Sequence, residues 1–333
     1  MPKSIFLPLL EPYSTVSFIG MCKNAGKTTV LGRCLNEYRD ADEILALTSI
    51  GRDGEAVDLV TQTAKPDIFV ESGTLIATAA ELLPLCDISR EILACTGIAT
   101  PMGEVVLLRA RSDGYVQLGG PSTVSQLTEV RELFFRHGAH RVFIDGALSR
   151  KTLSTRALSD ASILCTGASL GGGMEHVVAE TAFFCALASL PLFSEEVLPS
   201  QEGKWTLIGE SVCGSDQSAL FSALREREEN RTRTVLVQGA LTDAMVESYI
   251  RTAGTAPISL IVADSSKLLL RRENYRRMLT KQCRFFVLDK VNLVAVMVNP
   301  FSAYGVSFPA EEFRAAMAAA VSLPVFDVKE DFL

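Results

Sequence analysis

The stretch Ser17-Phe18-Ile19-Gly20-Met21-Cys22-Lys23-Asn24-Ala25-Gly26-Lys27-Thr28-Thr29-Val30 constrains this chain more than any other. Its apolar start, Val16 to Ile19, reads as a buried strand, and Thr28 to Tyr38 reads as a helix. Between them, Gly20 and Gly26 let the backbone fold close around a ligand with no Cβ in the way. Backbone N–H groups of such a turn and of the helix start point at one spot, which suits an anion. Lys27 adds a point charge for β- and γ-phosphates, and the Thr28 hydroxyl is a ligand for Mg²⁺. The stretch therefore reads as a phosphate-binding loop. Gly20, Asn24, Ala25, Gly26, Lys27, Thr28 and Thr29 are its nucleotide contacts. The two glycines are separated by five residues, Met21 to Ala25, where the common form of the motif has four.

A chain of 333 residues, 48% hydrophobic, is long enough for one large α/β domain or two. A net charge of −7 argues against general nucleic-acid binding, yet leaves room for a local phosphate site. The eight cysteines form no C-x-x-C pair and have no nearby His, which disfavours a metal or disulfide framework and favours a reducing cytosol. Cys22, inside the loop, reads as a space-filler rather than an oxidation-sensitive thiol. The apolar run at residues 5–10 is too short for a signal segment, and the one at residues 181–193 is too short to span a bilayer. A cytoplasmic protein that binds neither membrane nor nucleic acid is expected.

Beyond the loop, strands are expected at residues 43–48, 66–71 and 91–96, with a helix at 74–83. The strand at 43–48 runs into Arg52-Asp53-Gly54-Glu55, aimed at the phosphate site if the sheet is parallel. Asp53 is thus a candidate Mg²⁺ ligand, and Glu55 and Arg52 are candidates for metal, substrate or phosphate. Ser112-Asp113, between β-rich runs at 103–111 and 114–118, predicts an antiparallel hairpin. Ser122 is expected to cap a helix over 123–136.

Arg141-Val142-Phe143-Ile144-Asp145 is an apolar strand ending in an acid. In P-loop proteins such an Asp holds Mg²⁺, so Asp145 joins Thr28 as a metal ligand and Lys27 as a catalytic residue. Arg150 and Lys151 follow in a polar loop. A strand at 161–166, the loop Gly167 to Gly173 and a helix at 174–190 repeat the strand–glycine–helix order without a Lys. His176 at that helix start reads as surface more readily than as a ligand.

Composition loosens at residues 192–203, placing a boundary between a nucleotide-binding core, 1–199, and a C-terminal α/β part, 200–333. Strands are expected at 204–209, 234–238, 257–263 and 284–288, and helices at 217–229, 243–253 and 266–281. The last helix carries Lys267, Arg271, Arg272, Arg276, Arg277 and Lys281, a solvated face or a dock for an acidic partner. A strand at 292–299 ends in Asn299-Pro300, and a helix at 310–320 and a strand at 324–328 follow. If these late strands complete the first sheet, residues of about 204–290 form an inserted lobe. The fold class is α/β: a mostly parallel sheet with helices on both faces, a β-hairpin excursion and a C-terminal α/β part.

The G-x5-G-K-T loop and the Asp-ended strand resemble the dethiobiotin synthetase and cobyric acid synthase branch of the P-loop NTPases. In that branch a late strand ending in Asn contributes to the base pocket, which implies that Asn299 reads the base. Asn299-Pro300 lacks the Asn-Lys-x-Asp pattern that reads guanine, so ATP is expected over GTP. Together with Thr48-Ser49-Ile50-Gly51-Arg52-Asp53-Gly54-Glu55, Asp145-Gly146-Ala147-Leu148-Ser149-Arg150 and Val298-Asn299-Pro300-Phe301-Ser302, the loop also resembles the small subunit of the lysine 5,6-aminomutase reactivase. That resemblance implies a larger reactivase subunit and a B12-dependent aminomutase as partners, although no D-x-H-x-x-G cobalamin loop is present. An ATP-dependent ligase of the dethiobiotin synthetase type and a non-catalytic nucleotide-binding adaptor are the alternatives. A glutamine-dependent ligase is disfavoured, because all three His precede Cys185.

Overall fold

Continuous apolar runs flanked by Gly, Asp and Asn become strands buried on both faces, and such strands pair in parallel at the centre of a sheet. The computed structural model describes residues 4–51, 67–146, 158–194, 204–208, 212–214, 233–252 and 258–329. The chain divides into a unit of residues 1–182 with 292–333 and a unit of residues 183–291.

The first unit opens with α1 (Phe6–Leu10), β1 (Thr15–Gly20), α2 (Lys27–Glu37) and β2 (Leu45–Ser49). Next come β3 (Ile68–Val70), β4 (Leu75–Ala79), β5 (Arg90–Thr100), β6 (Gly103–Ala110) and β7 (Gly114–Val116). They are followed by α3 (Val124–Arg136), β8 (Arg141–Asp145), β9 (Ala161–Gly167) and α4 (Met174–Ala188), which crosses the division between the units. The second unit holds β10 (Trp205–Leu207), β11 (Val212–Gly214), β12 (Arg233–Val237), β13 (Leu241–Thr242), α5 (Asp243–Thr252) and β14 (Ile258–Val262). It closes with β15 (Leu268–Leu269), α6 (Arg272–Thr280) and β16 (Arg284–Val287). The chain then returns to the first unit with β17 (Leu293–Asn299), α7 (Ala310–Ala320) and β18 (Val325–Asp327).

The main sheet has nine strands in the order β18-β17-β9-β1-β8-β2-β4-β6-β5. Pairing is parallel from β18 to β4, and β6 and β5 add an antiparallel edge. Side chains alternate between the faces. Phe143 packs with Phe6, Leu10, Val30, Leu31 and Cys34 of α1 and α2, whereas its neighbours Val142 and Ile144 pack with Leu127, Val130 and Phe134 of α3. Helices therefore cover both faces. In the second unit β12, β14 and β16 are parallel, β10 is antiparallel to β12 and β11, and Trp205, Val235, Leu260 and Phe285 share the core.

The structure revises several expectations. Residues 74–83 are not a helix: Leu75 to Ala79 form β4, buried throughout, and residues 80–85 form a 3-10 turn. A short apolar run without a polar stripe does not tell helix from strand, and pairing with β2 and β6 decides it. The hairpin lies at residues 101–102, between β5 and β6, and not at 112–113. Strand β7 leaves the sheet and pairs with β3 in a separate antiparallel ribbon. Asp113 there accepts a hydrogen bond from the Ser72 N–H at 2.8 Å, tying two loops rather than closing a hairpin. Helix α6 starts at Arg272 instead of 266, because residues 265–269 form a 3-10 turn and β15. Thr123, not Ser122, caps α3 through its side chain. The chain divides at 182/183 and 291/292, and β17 and β18 lie in the first sheet. Arg52, Asp53, Glu55, Arg150, Lys151 and the helix expected at 217–229 lie outside the described residues. Among the described residues, no helix is long and apolar enough to cross a membrane.

Candidate functional site

The registers align the carboxyl ends of the central strands. Phe18 and Ser49 both pair with Asp145, Gly20 with Cys165, and Asn299 with Gly167. Ligands of parallel α/β sheets sit at this edge. A cavity of about 640 Å³ opens there, lined by the loop residues 23–29, Asp145 and Asn299.

The loop is shaped by two left-handed residues, Asn24 at φ 58° and Gly26 at φ 95°. Gly26 is the cap position of α2, and the first helical bond runs from the Val30 N–H to its carbonyl at 3.0 Å. A Cβ on Gly26 would meet Val328 at 3.3 Å in a backbone conformation that L-residues resist. No side chain caps α2, and its first turn holds no acid. The positive end of the helix therefore has no side-chain cap and no first-turn acid among the described residues, and it faces the cavity together with Lys27. Lys27 folds back over Gly20, where a Cβ would stand 2.6 Å from its Nζ. Glycine at this position is what lets the ammonium lie against the strand end.

Asp145 is the second charged element. Its Oδ1 is buried and has no hydrogen-bond partner among the described residues. Burial pushes its carboxyl up from the ordinary value to about 6, with the nearby Lys27 ammonium opposing. An acceptor with no partner among the described residues is of the type that a hard cation taking oxygen ligands would satisfy. Thr28 lines the same cavity and adds a hydroxyl.

Asn299 fixes the far side. Its Nδ2 donates to the Asn24 carbonyl at 3.2 Å, and its Oδ1 accepts from the Phe301 N–H at 3.1 Å. The side chain thus ties the loop to the start of the following segment. Ser169 after β9 donates to Ser302 at 3.4 Å and joins the glycine loop to that segment.

The structure brings Asn24, Ala25, Gly26, Lys27, Thr28, Thr29, Asp145 and Asn299 into one cavity, with Gly20 directly beneath Lys27. Asp53 lies outside the described residues. His176 does not line the cavity. Burial raises the Cys22 thiol above its ordinary range, so a reactive thiolate is disfavoured. Sequence reading missed Gln117, Phe301, Ser302 and Lys329, which line the cavity together with Ile68, Leu118 and Ala303. The Lys329 ammonium lies 4.4 Å over the Phe301 ring. Only tertiary pairing of β17 and β18 brings this pair together, so no local signal marks it.

No known protein family, curated protein or solved structure matches this chain.

Proposed function

We propose that this chain is a Mg²⁺-dependent, ATP-binding protein of the P-loop class, acting as an ATPase. One observation carries the reading. An uncapped helix start with Lys27 and an Asp145 whose buried Oδ1 has no hydrogen-bond partner among the described residues face one cavity at the carboxyl edge of a parallel sheet. In this reading the turn from Met21 to Gly26 and the first turn of α2 cradle the triphosphate with backbone N–H groups. Lys27 neutralises charge on the terminal phosphates. Thr28 and Asp145 hold Mg²⁺, which supplies positive charge to the phosphate oxygens. Asn299 keeps the loop closed against β17, and Phe301 offers a flat apolar surface at the cavity edge. The absence of an Asn-Lys-x-Asp sequence after β17 favours adenine over guanine.

The sequence resemblance to the lysine 5,6-aminomutase reactivase supports a physiological role for this ATPase. Nucleotide turnover would drive a conformational change that assists reactivation of a B12-dependent aminomutase, with a larger reactivase subunit as partner.

Calorimetric titration of ATP and GTP, with and without Mg²⁺, tests the nucleotide reading. The expected result is Mg²⁺-dependent ATP binding that Lys27→Ala weakens by at least roughly tenfold, the loss of one charge-assisted contact to phosphate. Unchanged affinity in that variant overturns the site. Hydrolysis measured with and without the aminomutase then tests the role: stimulation supports it, and no response to the client removes it.

A further inference from the structure

We propose that the outward face of α6 docks an acidic patch on another folded protein. The chain has 32 Lys and Arg against 39 Asp and Glu, yet residues 267–284 hold seven bases and one acid, Glu273. A protein of net charge −7 therefore carries a concentrated positive surface in its second unit. This inference is independent of the nucleotide site.

The helix geometry separates the bases from the core. Asn274 and Met278 are buried and mark the inward side. Asn274 Nδ2 donates to Asp243 Oδ1 at 2.8 Å and to Glu247 Oε1 at 3.1 Å, so the acids of α5 are engaged inward. At 100° per residue, Arg272 and Arg276 stand on the opposite side, with Leu279 beside them. Leu279 is 46% exposed. Arg271 reaches Asp243 at 3.3 Å and Arg277 bonds Asn274 at 3.2 Å. Among the described residues, Arg272, Arg276, Lys281 and Arg284 meet no carboxylate within 4.0 Å.

The chemistry of this face selects the occupant. Five of the seven bases are Arg, whose planar fork pairs bidentately with carboxylates. Arg is enriched at protein interfaces, whereas Lys is depleted. A carboxylate patch on a folded protein is limited in extent and acts within a Debye length of about 10 Å. A stiff polyanion such as duplex DNA would extend past the patch and meet the negative field of the rest of the chain, whereas a flexible run of carboxylates can gather on it.

The test uses the full chain and the triple variant Arg272→Glu/Arg276→Glu/Arg284→Glu, with poly-L-glutamate and a duplex DNA as probes at low ionic strength. The wild type should bind poly-L-glutamate, with affinity falling as salt rises. The triple variant should bind at least roughly tenfold more weakly, the loss expected when charges in a complementary patch are reversed, with an unchanged thermal transition. If the triple variant fails to fold, the single changes Arg272→Gln, at a half-buried position, and Arg276→Gln, at an exposed one, carry the comparison, each expected to weaken binding. Equal binding by the variants overturns the proposal. So does tighter binding of DNA than of poly-L-glutamate, which would make this a nucleic-acid surface. Self-association of the wild type that the variants abolish, seen by sedimentation, would assign the face to a second copy and also overturn it.

Discussion

The side-chain amide of Asn299 donates to the backbone carbonyl of Asn24 at 3.2 Å, across 275 positions of sequence. The contact joins the last residue of β17 to the left-handed residue of the glycine loop. The loop conformation therefore depends on a strand that the chain makes only after completing its second unit. Asn299→Ala removes this bond and the one to the Phe301 N–H. A stability loss of about 1–2 kcal/mol is expected from two partly exposed hydrogen bonds. ATP affinity should fall further than stability alone explains, because the loop loses its tie. Urea denaturation beside calorimetry separates the two effects. A stability loss with intact ATP affinity would sink the role of Asn299 in shaping the loop.

Gly26 is held at φ 95° with Val328 only 3.3 Å from where a Cβ would sit. Gly26→Ala should cost about 1–2 kcal/mol for the left-handed conformation, with crowding in addition. Gly20→Ala differs. Its Cβ would clash first with the flexible end of Lys27, 2.6 Å from Nζ, and would stand 3.3 Å from the Cys22 carbonyl, so the ammonium would move and the fold would stay. The expected pattern is a lowered melting temperature for Gly26→Ala. Gly20→Ala should show a near-normal melt with weakened ATP binding. Equal melting shifts for the two would contradict it.

The site elements legible in the sequence are those whose signal is local. Strand β1 with its loop and α2, the run ending in Asp145 and the run ending in Asn299 are continuous apolar segments closed by Gly, Asp or Asn. Such patterns describe fully buried strands whatever their neighbours are. The remainder depends on pairing. Leu75 to Ala79 look equally like a short buried helix until β2 and β6 flank them. The β3–β7 ribbon joins residues 68–70 to 114–116, and the Phe301–Lys329 contact needs β17 and β18 side by side. No window of sequence contains both partners of either contact.

Arg141 starts β8 and is nearly buried, with its side chain 8% exposed. Its Nε lies 2.9 Å from Glu43 and its Nη2 3.1 Å from the same carboxylate, while Nη1 donates to the carbonyls of Leu10 and Tyr13. The guanidinium also stacks 5.0 Å over the Tyr38 ring. One side chain thus pins the end of α1, the start of β8 and the C-cap of α2. Arg141→Ala strands the Glu43 carboxylate and two carbonyls, and a loss of about 3 kcal/mol is expected. Arg141→Lys keeps charge but not the fork, so it should recover only part of that loss. Denaturation midpoints for the two variants decide this, and a fully rescued Lys variant would show that charge alone suffices.

Asp145 links stability to function with opposite signs. Burial raises its carboxyl from 3.8 to about 6. The folded chain therefore holds this proton more tightly than the unfolded chain does. The stability that goes with protonation is fully present below the ordinary value and is lost as pH rises through about 6. At neutral pH the charged carboxylate is a burden on the order of 3 kcal/mol, two pKa units of differential interaction, with Lys27 already offsetting part of its burial. Asp145→Asn should remove most of it, raising stability near neutrality and gaining little in acid below the ordinary range. Mg²⁺ requires the charged form, so Mg²⁺-dependent ATP binding should weaken as pH falls below about 6 in the wild type. In Asp145→Asn the Mg²⁺ dependence should vanish at every pH. A variant more stable yet unable to use Mg²⁺ is the signature of a residue kept for chemistry rather than folding. If Asp145→Asn instead destabilises the chain at neutral pH, the carboxylate has a structural partner and the metal assignment fails.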